Sequence, residues 1–331
     1  MKKLLTVLLT ILVLTGCTTT TELTETEEST TSTFDKSNSK IGIIQLMDHT
    51  SLNIIYDSFK EELYELGYTD DNIEFINANG DLVNVENAVN QLMADKVDTI
   101  VGITTPVAQY TKKVADEIPV TFAAVSDPLG AGLVTSLEEP GNMTGTSSPG
   151  SVSKIMDLAL EFVPNAKIVG YLYNPGEDNS VSSLDKLKEY AAEHDLEIIE
   201  SPVSSFADLQ TAAAVLANKV DFVYTATDNT VASGMQVVAE EVKKANKLVF
   251  VGADSMVMDG GFASVGIDYS DLGKENALIV DEILNGTAVS DIPVKVFNTD
   301  LNIYINQAYV QEFSIVIPDN ILNNSKYIAI N

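Results

Sequence analysis

Short apolar runs alternate with helical patterns along the chain from Ile41 onward. The run IGIIQL at Ile41–Leu46 is continuously apolar, as expected for a strand buried on both faces of a sheet. The segment after it carries one apolar face at helical spacing, formed by Ile55, Phe59, Leu63 and Leu66. A strand followed by a helix, and then by another strand, is typical of a parallel α/β sheet.

The same alternation continues through the rest of the chain. Further strands are predicted at 73–78, 98–103, 119–125, 167–173, 196–200, 221–226, 247–253, 262–267, 293–297 and 301–305. Helical patterns lie between them, around 85–93, 108–115, 181–191, 231–244, 269–284 and 306–313. This order favours an α/β fold over an all-helical or all-strand one.

The two halves of this pattern resemble each other in sequence. The matched segments are 94–108 with 217–232, 41–44 with 169–172, 120–127 with 248–255, and 130–134 with 259–263. All four pairs occur in the same order and 123 to 129 positions apart, which indicates a repeated structural unit. We therefore predict two similar doubly wound parallel-sheet lobes joined by a multi-strand hinge, a hinged clamp.

The repeat and the last predicted elements set the expected lobe boundaries. Lobe 1 is expected to comprise residues 40–147 and about 269–298. Lobe 2 is expected to comprise residues 148–268 and about 299–331.

The first residues have the pattern of an export signal. Lys2 and Lys3 precede the apolar run Leu4–Leu14, which is too short to span a bilayer comfortably and fits the apolar region of a signal peptide over residues 1–16. The LTGC sequence that ends at Cys17 resembles a bacterial lipobox, which implies cleavage before Cys17 and lipid attachment to its sulfur. The alternative is a plain secretory signal that happens to contain a cysteine.

Residues 17–39 begin with that cysteine and continue with Thr, Ser and Glu and almost nothing apolar. Such a composition cannot build a core and indicates a flexible tether. The expected product is a globular body on a lipid anchor at the outer side of the cell membrane, extracytoplasmic and attached by lipid alone.

Composition excludes several classes of function. The net charge of −29 disfavours nucleic acid as a partner, because phosphate binding needs clustered Lys and Arg. One cysteine and two histidines exclude an intrachain disulfide, and they make a zinc site of the usual composition improbable. The chain has no P-loop, no G-x-S-x-G and no dinucleotide-binding glycine motif after its first strand. We therefore expect no enzyme activity, no cofactor and no metal.

Polar clusters follow the carboxyl ends of the predicted strands, where ligands bind in open α/β sheets. The main clusters are 104–106, 126–128, 174–180, 227–230 and 254–255. Taken singly, each is a helix-start sequence whose Ser, Thr, Asp or Asn caps free backbone N–H groups. Taken together, helix N-termini from two facing lobes would converge on one cleft that suits a small anion such as a carboxylate.

These clusters contain more carboxylates than helix capping needs, and the extra ones could bind a positive charge on the ligand. Asp228 or Glu177 could hold an ammonium group by charge-assisted hydrogen bonds, so the combined site fits a zwitterion such as an α-amino acid. The acidic loop 174–180 also leaves calcium open, although it lacks the ligand spacing of an EF-hand. His49 either faces the cleft or is a surface histidine at a helix start.

Several motifs occur together between Lys40 and about Pro318. They are IGIIQLMDH (41–49), VDTIVGITTPVAQ (97–109), IPVTFAAVSDPLGAGLV (118–134), PGNMTGTS (140–147), GYLYNPGEDNS (170–180), VDFVYTATDNTV (220–231) and GIDYSDLGKENA (266–277). Together these motifs resemble a known family, the substrate-binding lipoproteins of ABC importers with a type I periplasmic-binding fold. The nearest branch includes tryptophan- and other aromatic-amino-acid-binding proteins.

The resemblance implies a ligand held between two lobes that close over it. By position, the lining would be drawn from Thr104, Thr105, Ser126, Asp127, Tyr173, Asn174, Glu177, Asn179, Ser180, Asp228, Asn229, Asp254 and Asp268. In this interpretation Thr104 and Thr105 hold the carboxylate, Asp228 or Glu177 holds the ammonium, and Tyr173 contacts the ligand side chain.

The resulting hypothesis is a solute receptor that delivers an aromatic or apolar amino acid, such as tryptophan, to an ABC permease. Partner permease and ATPase subunits are implied, and the chain is expected to be a monomer. An alternative of the same fold is a ligand sensor that signals to a membrane receptor. A secreted enzyme is the weaker alternative, because the sequence offers no nucleophile–base pair.

Overall fold

Two separate β-sheets, each covered by helices on both faces, organise residues 36–331 in a computed structural model of the chain. The structure describes these residues only. The predicted signal peptide, the lipobox at Cys17 and most of the predicted tether therefore lie outside the described residues. Within residues 36–331 there is no helix with the length and apolar character needed to cross a membrane.

The strands of the first sheet are β1 (Ile41–Gln45), β2 (Ile73–Asn77), β3 (Thr99–Ile103), β4 (Val120–Val125), β5 (Met143–Ser147) and β11 (Lys295–Val296). All six are parallel, and they lie in the spatial order β11-β5-β4-β3-β1-β2. The helices of this lobe are α1 (Thr50–Glu65), α2 (Leu82–Asp95), α3 (Thr105–Thr111) and α10 (Tyr269–Leu284). The central strands are buried along their whole length, which explains their continuous apolar sequences.

The strands of the second sheet are β6 (Ile168–Tyr173), β7 (Glu197–Pro202), β8 (Phe222–Thr225), β9 (Val249–Val251), β10 (Ala263–Gly266), β12 (Asn302–Asn306) and β13 (Tyr327–Ile330). These seven strands lie in the order β13-β12-β10-β9-β8-β6-β7, and neighbours are parallel except for β12 and β10. Its helices are α4 (Val152–Phe162), α5 (Asp178–Glu193), α6 (Leu209–Ala217), α7 (Asn229–Ser233), α8 (Met235–Lys244), α9 (Asp254–Met258), α11 (Gln307–Glu312) and α12 (Asp319–Leu322).

The internal sequence repeat corresponds to a repeat of strand order. Strands β1 to β5 lie in the order 5-4-3-1-2, and β6 to β10 lie in the equivalent order 10-9-8-6-7. The prediction of two similar doubly wound α/β lobes is confirmed. Between the two sheets the described chain crosses three times, after β5, after β10 and after β11, and these crossings form the hinge.

The lobe boundaries remain our proposal, and strand membership supports them. The late strand β11 returns to the first sheet, while β12 and β13 belong to the second. Helix α10 packs against α1, β4 and β5 and so belongs with lobe 1.

Residues 36–39, which precede the boundary expected at Lys40, already contact lobe 1. Residues Lys36–Asn38 form a short 3-10 helix. The Lys36 ammonium donates to the carbonyl of Leu66 at 2.8 Å, pairs with Asp281 at 2.5 Å and lies 4.7 Å from the centre of the Tyr68 ring. Leu66 directly follows α1, and Asp281 lies on α10, so the Lys36 side chain contacts two helices of lobe 1. These contacts attach the last residues of the predicted tether to that lobe.

Helices α1 and α10 approach each other closely at Gly273. A Cβ atom at this position would lie 2.2 Å from the carbonyl oxygen of Ile55 and 2.2 Å from the hydroxyl of Ser58. We expect Gly273→Ala to lower the free energy of unfolding by about 1–3 kcal/mol, since the helices must move apart. Chemical denaturation measures the loss, and Gly266→Ala is the matched control because its Cβ would have no neighbour nearer than 4.0 Å. Equal stability of the two variants would contradict this account of the helix crossing.

Candidate functional site

A cavity lies between the two lobes, beyond the carboxyl ends of their parallel strands, where this class of fold places ligands. Both polar and apolar side chains line it, and they come from both lobes. Its lining residues are His49, Ser51, Leu52, Thr104, Thr105, Ala124, Ser126, Asn179, Thr227, Asp228, Asn229, Ala232, Met256 and Tyr269.

The wall from lobe 1 contains two residues in unusual backbone conformations. Thr104, directly after β3, has a φ of 98°, and Ala124, near the end of β4, has a φ of 59°. The register between β4 and β5 shifts between Phe122 and Val125, so Ala124 lies at a bulge. Conformations with positive φ are costly for residues other than glycine and concentrate at functional sites, where they direct a side chain or backbone group toward a ligand.

Thr105 begins helix α3 next to the strained Thr104. The Thr104 hydroxyl accepts from the backbone N–H of Val107 at 3.5 Å and so caps the helix. The hydroxyl of Thr105 is buried in the cavity wall, and no group among residues 36–331 gives it a hydrogen bond. A buried hydroxyl without a partner is costly, so this oxygen is available to a ligand.

The wall from lobe 2 is built around Asp228, which is fully buried. Its carboxylate accepts hydrogen bonds from the backbone N–H of Val231 at 2.8 Å, from the backbone N–H of Asn174 at 2.6 Å and from the hydroxyl of Ser180 at 2.6 Å. Burial, together with the neighbouring charge of Glu177, raises the pKa of Asp228 to about 7. A cation bound in the cavity would stabilise the ionised form of this carboxylate.

Glu177 lies behind Asp228 and holds the start of helix α7. It is 4% exposed and accepts from the backbone N–H groups of Asn229 and Thr230, both at 3.0 Å. It also accepts from the side-chain amide of Asn229 at 2.5 Å and from the hydroxyl of Thr230 at 3.0 Å. Its oxygens therefore fix the helix start that carries Asp228 and Asn229 into the cavity wall.

Asn179 and His49 each present a buried polar atom to the cavity. The side-chain amide of Asn179 donates to the carbonyl of Thr227 at 2.9 Å, and its carbonyl oxygen has no partner in the described part of the chain. Nε2 of His49 lies 3.4 Å from the side-chain oxygen of Asn229. Nδ1 of His49 has no hydrogen-bond partner among residues 36–331. Burial lowers the pKa of His49 to about 4, so the ring is neutral at physiological pH.

The apolar part of the lining comes from both lobes. It consists of Leu52 on α1, Ala124 on β4, Ala232 on α7, Met256 on α9 and Tyr269 at the start of α10. Burial raises the pKa of the Tyr269 hydroxyl, which hydrogen-bonds with Thr227 and Ser148 and is therefore held in place. A flat apolar group of a ligand would meet one aromatic ring and a flexible thioether.

Hydrogen bonds cross from one lobe to the other on both sides of the cavity. On one side Thr50 donates to Asp259 at 2.9 Å, and the hydroxyls of Ser51 and Ser255 are 2.6 Å apart. On the other side, the bonds are Gln109 to Asp178 at 2.7 Å and Ser182 to Asp127 at 2.9 Å. The lobes are thus in contact around the cavity, in a closed arrangement.

The structure places some of the predicted lining residues around the cavity and others elsewhere. Those that line it are Thr104, Thr105, Ser126, Asn179, Asp228 and Asn229. Asn174, Glu177 and Ser180 lie one layer behind, where they hydrogen-bond to residues 228–230. The ligand-binding role of all these residues remains a prediction.

Four predicted residues lie away from the cavity lining. Tyr173 donates its hydroxyl to Glu200 at 2.8 Å, and Asp127 belongs to a neighbouring surface cleft. Asp254 is buried at the start of α9, where burial raises its pKa to about 7. Asp268 is exposed and caps α10 by accepting from the backbone N–H of Ser270. Their carboxylates and hydroxyl already have partners within the protein.

Several lining residues were not among those predicted from sequence: Ser51, Leu52, Ala124, Thr227, Ala232, Met256 and Tyr269. Most of them follow the carboxyl end of a strand by a few residues, and Tyr269 follows Asp268 directly. A rule that includes the first turn of each following helix would have found Ser51, Leu52 and Met256. The sequence left open whether His49 faces the cleft or lies on the surface, and in the structure it faces the cavity. Across residues 36–331, no group of three or more His, Cys, Asp and Glu side chains is arranged to hold a metal ion.

Comparison with known proteins places these observations in a family. The family described as ABC transporter substrate binding protein matches residues 40–328. A tyrosine-binding protein of Clostridioides difficile strain R20291 is 37% identical over 280 residues, which are 83% of this chain and 81% of that protein. A crystal structure of a Streptococcus pneumoniae ABC domain in complex with L-Trp is 35% identical, covers 88% of this chain and 100% of its own, and superposes with a TM-score of 0.83.

A third comparison bears on the arrangement of the lobes. The ligand-free, open structure of a substrate-binding protein with adhesive properties from Clostridium difficile is also 35% identical, with the same coverage of 88% and 100%, but its TM-score is 0.66. Equal identity and coverage with a lower score indicate a different lobe arrangement, and the chain resembles the ligand complex more than the open form. The family implies a small-molecule ligand, ABC transporter partners and a place outside the cytoplasm. This chain belongs to the ABC transporter substrate-binding protein family.

Proposed function

We propose that this protein captures one aromatic amino acid in the interlobe cavity and delivers it to the permease of an ABC importer. The observation that carries the proposal is the set of three buried, unpartnered polar atoms in one cavity: the hydroxyl of Thr105, the side-chain oxygen of Asn179 and Nδ1 of His49. Such atoms are costly when left unpaired, so the cavity is built to receive hydrogen-bonding groups from a ligand.

Each part of an amino acid has a matching region in this proposal. The α-carboxylate accepts from the Thr105 hydroxyl beside the start of α3, with Ser126 nearby. The α-ammonium donates to the Asn179 side-chain oxygen and is balanced by the charge of Asp228. The side chain packs among Leu52, Met256 and Tyr269, and the named ligands of the two similar proteins, tyrosine and tryptophan, support an aromatic one.

Attachment and assembly complete the proposal. Cys17 would carry the lipid anchor after removal of residues 1–16, with the segment before Lys36 as the tether. We propose that the protein acts as a monomer without catalytic activity, since its role is to bind and release. Closure over the ligand would present to the permease a surface formed by both lobes.

A ligand screen by thermal shift tests this proposal on the chain from Thr18 onward, which lacks only the predicted signal peptide and lipidated cysteine. We expect L-Trp or L-Tyr to raise the melting temperature, because a ligand at one hundred times its dissociation constant adds about 2.7 kcal/mol. Leucine, lysine, a hexose and myo-inositol serve as comparison ligands. No shift with any aromatic amino acid would contradict the proposed ligand class.

A pair of matched variants tests the position of the site. Thr105→Val removes the unpartnered hydroxyl and should weaken binding about tenfold. Thr111→Val removes a buried hydroxyl from the same helix, outside the cavity, and should leave binding unchanged. Equal affinity of the two variants would place the carboxylate elsewhere.

A further inference from the structure

His49 occupies the position before helix α1 but does not cap it. Its backbone is extended, its carbonyl accepts from the N–H groups of Leu52 and Asn53, and its side chain makes no capping hydrogen bond. The ring is 9% exposed and lines the interlobe cavity. The side chain therefore extends away from the helix end and into the cavity wall.

A chain of hydrogen bonds fixes which nitrogen of the ring carries the proton. Glu177 is an acceptor, so the Asn229 side-chain nitrogen, 2.5 Å from it, must be the amide N–H group. The other end of that amide is then a carbonyl oxygen, and His49 Nε2, at 3.4 Å, must be its donor. In a neutral imidazole with a proton on Nε2, Nδ1 is an acceptor. The burial that keeps the ring neutral supports this assignment.

The free Nδ1 therefore needs a donor, and an amino acid offers two kinds. One is the α-ammonium, and the other is an N–H or O–H group on the side chain. Donors from the protein are excluded within residues 36–331, where this nitrogen has no hydrogen-bond partner.

The proposed function assigns the α-ammonium to Asn179 and Asp228, which line the same cavity as His49. With the ammonium bound there, the donor that remains for Nδ1 is an N–H or O–H group on the ligand side chain.

We infer that His49 Nδ1 accepts a hydrogen bond from the ring N–H or O–H of the ligand, so that the site selects tryptophan or tyrosine over phenylalanine. This inference rests on the proposed function and adds to it a residue that determines specificity. A site that hydrogen-bonds a ligand group rejects an analogue without that group, because the buried partner is then left unpaired. Shape alone would discriminate far less between tyrosine and phenylalanine.

Ligand analogues test the inference in the unmodified protein, again on the chain from Thr18. Isothermal titration compares L-Trp with 3-benzothienyl-L-alanine, in which sulfur replaces the indole N–H at nearly the same shape, and L-Tyr with L-Phe. In the pair that contains the natural ligand, we expect the analogue without the donor to bind at least about tenfold more weakly. Equal binding within both pairs, with aromatic amino acids still bound, would overturn the role of His49 and leave the proposed function intact.

Two variants connect the preference to His49. His49→Phe keeps a ring but has no acceptor, so the ratio between donor and non-donor ligands should fall to within about twofold. His49→Asn places an amide oxygen near the position of Nδ1 and should restore part of the ratio. A ratio unchanged in His49→Phe would also overturn the inference. If no aromatic amino acid binds to the unmodified protein, the proposed function fails and this inference fails with it.

Discussion

Replacement of Glu177 by alanine should lower the free energy of unfolding by about 2–4 kcal/mol, the largest loss that we expect from a single change in the site. The carboxylate is buried and accepts two backbone and two side-chain hydrogen bonds from Asn229 and Thr230. Without it, four buried donors at the start of α7 lose their acceptor, and hydrogen bonds to charged groups are among the strong ones.

The effect should extend to ligand binding, since α7 carries Asp228 and Asn229 into the cavity wall. We expect Glu177→Ala to weaken binding even where it remains folded. Urea denaturation gives the stability, and titration under folding conditions gives the affinity.

Two comparison variants separate the hydrogen bonds from the loss of a side chain. Glu177→Gln keeps the shape and one acceptor oxygen, so its loss should be smaller, about 1–3 kcal/mol. Glu193→Ala removes an exposed glutamate from the same lobe and should change stability by less than about 0.5 kcal/mol. A Glu177→Ala protein as stable as Glu193→Ala would refute the structural role of this carboxylate.

The second large effect concerns Asp228 and the pH dependence of binding. Burial and the charge of Glu177 raise the pKa of Asp228 to about 7 in the ligand-free protein. A carboxyl group with a raised folded-state pKa contributes stability that is present at pH below about 4 and is lost as pH rises through 7. The ligand ammonium has the opposite preference, because it attracts the ionised form.

Affinity for an amino acid should therefore rise as pH increases from 5 to 7 and level off above that. Below pH 7 the ligand must remove a proton from Asp228 when it binds, which costs free energy. Asp228→Asn cannot ionise, so we expect it to bind about ten- to a hundredfold more weakly at pH 8 and to show little pH dependence. Titration calorimetry from pH 5 to 8 measures both quantities.

Asp271→Asn is the matched control for the pH profile. Partial desolvation also raises the pKa of Asp271, but this residue is exposed and lies on α10 outside the cavity lining. Its variant should retain the rise in affinity with pH. Persistence of that rise in Asp228→Asn would show that another group takes up the proton, and it would remove Asp228 from the ammonium site.

Apolar patterning was sufficient to predict most of the sheet strands, because strands buried on both faces must be continuously apolar. Strand β5 was missed because it is buried without being continuously apolar. It reads MTGTS and is fully buried, but its threonine hydroxyls are satisfied by the carbonyls of Ile292 and Leu272, which are distant in sequence. Strand β13 was also missed, since it is a short edge strand with exposed positions.

The candidate site was predicted less completely than the fold. Thr104, Thr105 and Asp228 line the cavity as position after a strand suggested. Glu177 looked from sequence like a surplus carboxylate available to a ligand, but it is occupied by the N-terminal end of α7. Tyr173 was predicted to contact the ligand side chain, but its ring packs against Tyr171 and its hydroxyl donates to Glu200. The aromatic residue that lines the cavity is Tyr269.

The two-lobe α/β architecture and its internal repeat can be predicted from the sequence, since both follow from local periodicity and matched segments. The polar clusters after the strands can be located in the same way, because chain order places them at the same edge of each sheet. Which of those polar groups already have partners, and which are left free, depends on the folded structure. That distinction depends on contacts between residues as distant as His49 and Asn229, which no local pattern encodes.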